Sequence, residues 1–294
     1  MEKCSMCPRA CGAERTNEKS GYCGVGMEFK VARAALHMWE EPCISGKNGS
    51  GTVFFSGCNL GCCYCQNAAI SRGQSGKDIS AERLVEILFE LKQRGAHNIN
   101  LVTPTHYALA LVPVLEQVKK QGLDLPIVYN CGGYESVDTL KQLDGLVDIY
   151  MPDFKYWSNL LALRYSKAAD YKSVAQAAIA EMVRQRGACR FDREGMMTSG
   201  VLVRHMVLPG AYADAKRILG YLYKTYGNNI YISIMSQYTP IGTPKYAALA
   251  ERISDAEYAA ILDYAAAIGI ENAFVQEGEA ALESFIPSFD NSGV

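Results

Sequence analysis

The chain has 294 residues, 49% hydrophobic and 20% charged, with 29 basic against 31 acidic side chains, which gives nucleic acid or an anionic membrane no electrostatic handle. No apolar run approaches the ~20 residues of a membrane span, and the length allows one large domain or two ordinary ones. The start Met1-Glu2-Lys3-Cys4 has no apolar h-region, so the expectation is a cytoplasmic chain without a signal peptide.

Of its eleven cysteines, all but Cys131 and Cys189 fall in the first 65 residues. In a reducing compartment such a cluster reads as metal or cluster ligands and not as a disulfide framework. The isolated Cys43, Cys131 and Cys189 read as buried free thiols.

Residues 1–25 show cysteine and glycine with neither helical nor strand period. Cys4, Cys7, Cys11 and Cys23 supply four thiols in about twenty residues, the number a closed zinc site or a second iron–sulfur cluster requires. A metal would give so short a segment the folding energy its missing core cannot. Phe29 to His37 reads as a short strand and residues 42–51 as a Pro/Gly/Ser-rich link. The expected division is therefore a cysteine-rich segment with its linker at 1–50 and a main domain at 51–294.

From residue 51 strand-then-helix repeats. Strands are expected at 51–57, 99–104, 126–133, 147–153, 201–210 and 229–236. Helices are expected at 79–95 (N-cap Ser80, stop at Gly95), through Gln121, to Leu143, near 171–186, at 212–226 and at 254–269. A strand-like ENAFVQE trails them. Apolar strands alternating with helices predict an α/β fold, a partial (β/α)6 TIM-type barrel with parallel strands. In such folds the reactive groups follow the C-terminal ends of the strands.

After the first of these strands stands Cys58-Asn-Leu-Gly-Cys62-Cys63-Tyr64-Cys65. Three thiolates so close must wrap one small centre, and a triplet without a fourth ligand leaves one iron of a cluster open for chemistry. Zinc is the alternative, with Cys63 as a poorly placed fourth ligand.

CNLGCCYCQN resembles the signature of the radical S-adenosylmethionine (SAM) superfamily, CxxxCxφC with Tyr64 at the aromatic place. The resemblance implies a [4Fe-4S] cluster on Cys58, Cys62 and Cys65 whose open iron takes the amino and carboxylate groups of SAM. It implies reductive SAM cleavage to a 5′-deoxyadenosyl radical that abstracts hydrogen. Across most of the chain the sequence further resembles the glycyl-radical-enzyme activases, pyruvate formate-lyase activating enzyme among them. It resembles most closely the PflX-like proteins, through CxxCPRxCG, GAHNINLVTPTH, YNCGGYES, DIYMPDFKY and RHMVLPG.

The resemblance places further cofactor-binding residues at strand ends. Thr103, Thr105 and His106 stand where the activases carry Ser-Gly-Gly-Glu for the SAM amino group, a departure that keeps polar side chains but loses glycine's freedom. Asn130 takes an acidic residue's place near the ribose. Asp153 and Lys155 match an Asp-Leu-Lys run, the lysine toward the SAM carboxylate. Val207 would bring backbone near the adenine, and Tyr238 replaces an expected histidine. Of Arg204 and His205, neighbours on one strand, only one can face the barrel interior. His37 and His97 read as structural. The implied partners are a small-molecule, protein or peptide substrate and a reductant such as flavodoxin or ferredoxin. A non-catalytic iron–sulfur or zinc module is the reading from another class.

Overall fold

The computed structural model describes residues 3–240, 242–276 and 287–294. In chain order the strands are β1 (Phe29–His37), β2 (Ser50–Phe55), β3 (Lys77–Ile79), β4 (Ile99–Val102), β5 (Ile127–Cys131), β6 (Ile149–Pro152), β7 (Arg190–Phe191), β8 (Met197–Met206), β9 (Tyr231–Met235) and β10 (Ala273–Val275). The sheet runs β10-β9-β8-β6-β5-β4-β2-β1-β3, with β7 laddered to β8. From β2 through β4, β5, β6, β8 and β9 to β10 every pairing is parallel. β1 runs antiparallel to β2, and β3 to β1. Among the described residues nothing pairs β3 with β10, so the curved sheet stays open as a partial barrel.

The strands form where buried, mostly apolar residues run together. β2, β4, β5 and β6 are buried along their whole length, as parallel strands covered on both faces must be. Helix Ala81–Gln93 starts where the Ser80 hydroxyl accepts from the Arg83 N–H, and Gly95 beyond it takes φ +85. Its Leu84, Ile87, Leu88 and Leu91, three and four residues apart, are buried toward β1, β2 and helix Ala108–Lys120. Each such leucine contributes about 1.5–3 kcal/mol, so Leu88→Asp would detach the helix. Ser254 and Glu257 close a reciprocal capping box on helix Asp255–Ala267. Among the described residues no helix is long and apolar enough to cross a membrane.

The structure departs from the sequence reading in several places, and the short strands β3 and β7 were not expected. Helix Asn159–Ser166, between β6 and helix Tyr171–Arg186, was not expected. Ala273–Val275 of the trailing ENAFVQE joins the sheet parallel to β9, while Glu277, its last residue, lies outside the described residues. The supposed link at 42–51 is not a solvated linker. It begins with a helical turn at Pro42–Ser45 and ends in β2, and Cys43, Ile44 and Ser45 are buried. Ile44 packs with Val128, Ile149, Met151 and Leu202, inside the barrel at the N-terminal end of its strands, and its carbonyl accepts from the Asn98 amide at 2.7 Å. The chain after β1 thus turns back and plugs the barrel floor.

Candidate functional site

The cysteine loop leaves β2 through Gly57, whose φ is +91 and where a Cβ would stand 2.8 Å from the Cys23 carbonyl oxygen. Only glycine allows that approach, and the next N–H, of Cys58, donates to the same oxygen at 3.1 Å. Beyond it, at the C-terminal ends of the parallel strands, lies a cavity of about 260 Å3. Cys58, Cys62 and Cys65 line it. Cys63 does not: its side chain is exposed, and its N–H is tied to the Tyr165 carbonyl. Burial raises the pKa of the Cys58 thiol and pushes that of Cys65 up to about 12, so both await a metal to draw off their protons.

Charged groups face these thiols. Lys155 Nζ lies 2.5 Å from Asp153 Oδ2, and Arg204 Nε 3.1 Å from Asp153 Oδ1. Arg204 also reaches Glu40 Oε2 at 3.1 Å and donates to Asn130 Oδ1 at 2.6 Å. Burial alone would neutralise these groups; Lys155 and Arg204 instead hold the Asp153 carboxyl below its ordinary range. Burial likewise opposes the Lys155 cation, yet Asp153 and the Cys62 sulfur carry its pKa upward. Glu40 goes the other way, since burial raises its carboxyl despite Arg204.

A chain of hydroxyls runs behind the cysteines. The Tyr64 and Tyr156 oxygens are 2.7 Å apart, Tyr156 and Ser166 2.6 Å, and the Ser166 hydroxyl donates to Cys62 Sγ at 2.9 Å. Hydrogen bonds to a ligating sulfur tune the potential of the cluster it holds.

Of the residues expected from sequence, Tyr64, Thr103, Asn130, Asp153 and Lys155 line the cavity with the three cysteines. Thr103 holds φ +57, a left-handed conformation uncommon for a β-branched residue, with its N–H on the Asn130 carbonyl. Thr105, His106 and Val207 do not line it. The Thr105 hydroxyl donates to buried Glu135 at 2.8 Å, and His106 Nε2 sits 2.8 Å from the Ser56 carbonyl. The short 3-10 turn Thr105–Tyr107 points both side chains into the packing beneath the helix. Val207 is fully buried, and Met206 faces the cavity instead. Arg204 is the inward member of its pair; His205 Nδ1 turns to the Phe154 carbonyl. Tyr238 is buried with its hydroxyl on the Leu249 carbonyl, and His97 accepts from the Asn48 N–H. His37, read as structural, lies at the cavity wall. Sequence reasoning missed Glu40, Trp39, Gln66 and Gln237, which also line it. Nothing local marks Glu40, because its role comes from the chain turning back into the barrel.

The N-terminal thiols Cys4, Cys7, Cys11 and Cys23 are all free. The Cys11 and Cys23 sulfurs flank Gly21, each 3.5 Å from where its Cβ would be. Among the described residues no three His, Cys, Asp or Glu side chains are already gathered around one point as ligands of a single ion. Thiolates on a cube bind separate irons and need not converge, so the cavity's donor set, three soft thiols with a lysine beside them, fits a cluster.

The sequence model of the Radical SAM superfamily matches residues 52–219. The chain belongs to the radical SAM superfamily. Membership implies SAM and a [4Fe-4S] cluster as its cofactors. Among similar proteins, an uncharacterized protein of Methanocaldococcus jannaschii is 28% identical over 251 residues, 82% of this chain and 67% of its own. The pyruvate formate-lyase-activating enzyme of Clostridium pasteurianum is 31% identical over 109 residues, 34% of this chain and 45% of its own. The crystal structure of Streptococcus suis SuiB bound to S-adenosylmethionine shares the fold, with a TM-score of 0.51 at 11% identity over 76% of this chain. The chain spans about half of that structure, 49%.

Proposed function

We propose that this chain is a radical SAM enzyme in which Cys58, Cys62 and Cys65 hold the cluster and the cavity beside them takes SAM and a substrate. The observation that carries the reading is that those three thiols, and not Cys63, line one cavity together with Lys155, Asp153 and Asn130. A cluster held by Cys58, Cys62 and Cys65 would supply the electron for reductive cleavage of SAM, and with it the means of abstracting hydrogen from a substrate. The chain's own part is to orient and to exclude. Lys155, half-buried beside the thiols, offers a fixed cation to a carboxylate. Asn130 and Asp153 offer hydrogen bonds to a ribose, Tyr64 walls the loop, and Thr103 brings a strained turn to the rim.

Within that reading the substrate is small-molecule, protein or peptide, and the electron comes from a reductant such as flavodoxin or ferredoxin in the cytoplasm. The local likeness to the Clostridium pasteurianum activating enzyme favours an activase-like role. A true glycyl-radical activase acting on a partner protein is the sharper form of it, and PflX-like specificity a further one. We also assign Cys4, Cys7, Cys11 and Cys23 to a second thiolate centre, zinc or cluster, supported by four free thiols on a segment whose described residues form no helix or strand before β1.

Anaerobic protein given dithionite and SAM should release 5′-deoxyadenosine, and Cys58→Ala should abolish it together with the iron held in the cavity. A reconstituted chain that releases none, with iron unchanged in Cys58→Ala, leaves only a non-catalytic metal module.

A further inference from the structure

Arg9 extends from the N-terminal cysteine segment into the gap between the cysteine loop and the end of helix Asn159–Ser166. Its guanidinium donates to the Asn59 carbonyl at 2.7 Å and to that of Leu60 at 3.5 Å. On the other side it donates to the Ser166 carbonyl at 2.7 Å and to that of Lys167. The rings of Tyr22 and Tyr134 lie 4.4 and 5.2 Å from its central carbon and hold the plane of the group. A planar fork of five donors suits such a joint; an ammonium does not.

What the fork joins is specific. Asn59 and Leu60 lie between Cys58 and Cys62, and Ser166 is the residue whose hydroxyl donates to Cys62 Sγ at 2.9 Å. The Cys63 N–H on the Tyr165 carbonyl is a second tie between the same two segments. A donor aimed at a ligating sulfur stabilises the more negative, reduced cluster and so raises its potential. Resting on the cluster reading above, we infer that Arg9 is a positioning residue that holds the Ser166 hydroxyl on the Cys62 sulfur and thereby sets the reduction potential of the bound cluster.

The experiment is an anaerobic redox titration of the reconstituted chain, followed by optical and EPR signals, with iron content and thermal unfolding measured alongside. The proteins are wild type, Ser166→Ala, Arg9→Ala, Arg9→Lys and the Ser166→Ala/Arg9→Ala double variant. Ser166→Ala should move the midpoint to more negative potential. Arg9→Ala and Arg9→Lys should move it in the same direction, and the double variant no further than Ser166→Ala alone. Millimolar guanidinium should bring Arg9→Ala back toward wild type. An unmoved midpoint in Ser166→Ala, or a double variant whose shift is the sum of the two single ones, overturns the inference. Should Arg9→Ala fail to fold, Arg9→Lys and Ser166→Ala decide the matter. A wild-type chain that assembles no cluster, or Cys58→Ala that keeps the full wild-type iron, overturns instead the reading on which the inference rests.

Discussion

Arg204 on β8 and Glu40 just after β1 meet at 3.1 Å across 164 residues of sequence. The same guanidinium lies 3.1 Å from Asp153. One largely buried cation therefore serves two carboxylates; removing it strands Glu40, while Asp153 keeps Lys155 at 2.5 Å. Arg204→Met is expected to cost about 3–5 kcal/mol, the penalty of an uncompensated buried charge, read as a lowered urea midpoint. Glu40→Gln leaves Arg204 still paired with Asp153 and should cost clearly less. Equal losses in the two variants would contradict this account.

Cys63 provides a control inside the cluster loop. Cys63→Ser should keep its full iron and its 5′-deoxyadenosine release, whereas Ala at 58, 62 or 65 should lose the release and the cavity's share of the iron. Iron analysis after anaerobic reconstitution separates the cases, and iron lost equally from Cys63→Ser would restore the zinc-like reading with four ligands.

Glu135 gives a pH dependence. Burial raises its carboxyl from 4.5 to about 7, against the lowering hydrogen bonds from Thr105 and Tyr129. Because the folded pKa lies above the unfolded one, its contribution to stability is complete below 4.5 and is lost as pH rises toward 7. The loss is on the order of 3 kcal/mol. The stability difference between wild type and Glu135→Gln should therefore shift in favour of the variant over that window. Parallel pH profiles for the two proteins would mean that Glu135 is charged throughout.

The N-terminal thiols can be counted separately from the cavity. A Cys58→Ala/Cys62→Ala/Cys65→Ala triple variant should still carry zinc or iron by elemental analysis, and adding Cys7→Ser and Cys23→Ser should remove it. A triple variant free of metal would leave these cysteines as ordinary thiols.

Where local pattern dictates structure, the sequence was readable. Helix Tyr212–Tyr226 falls on its expected span, because Ala215, Ile218, Leu219 and Leu222 mark one buried face. The cysteine triplet, Asp153 and Lys155 stand at strand ends, where chain order alone puts them. What depends on the path of the chain was not readable. Thr105 and His106 looked like ligands because a polar turn follows β4, but a 3-10 turn takes them inward. Glu40 and Ser166 belong to the site only because the chain turns back under the barrel and a short helix ends beside Cys62.

The turn that carries Ile44 into the barrel floor makes the cavity a blind alley. Among the described residues Ile44, Val128, Ile149, Met151 and Leu202 fill the space below it, so a ligand has to approach from the side of the cysteine loop or across the open edge of the sheet.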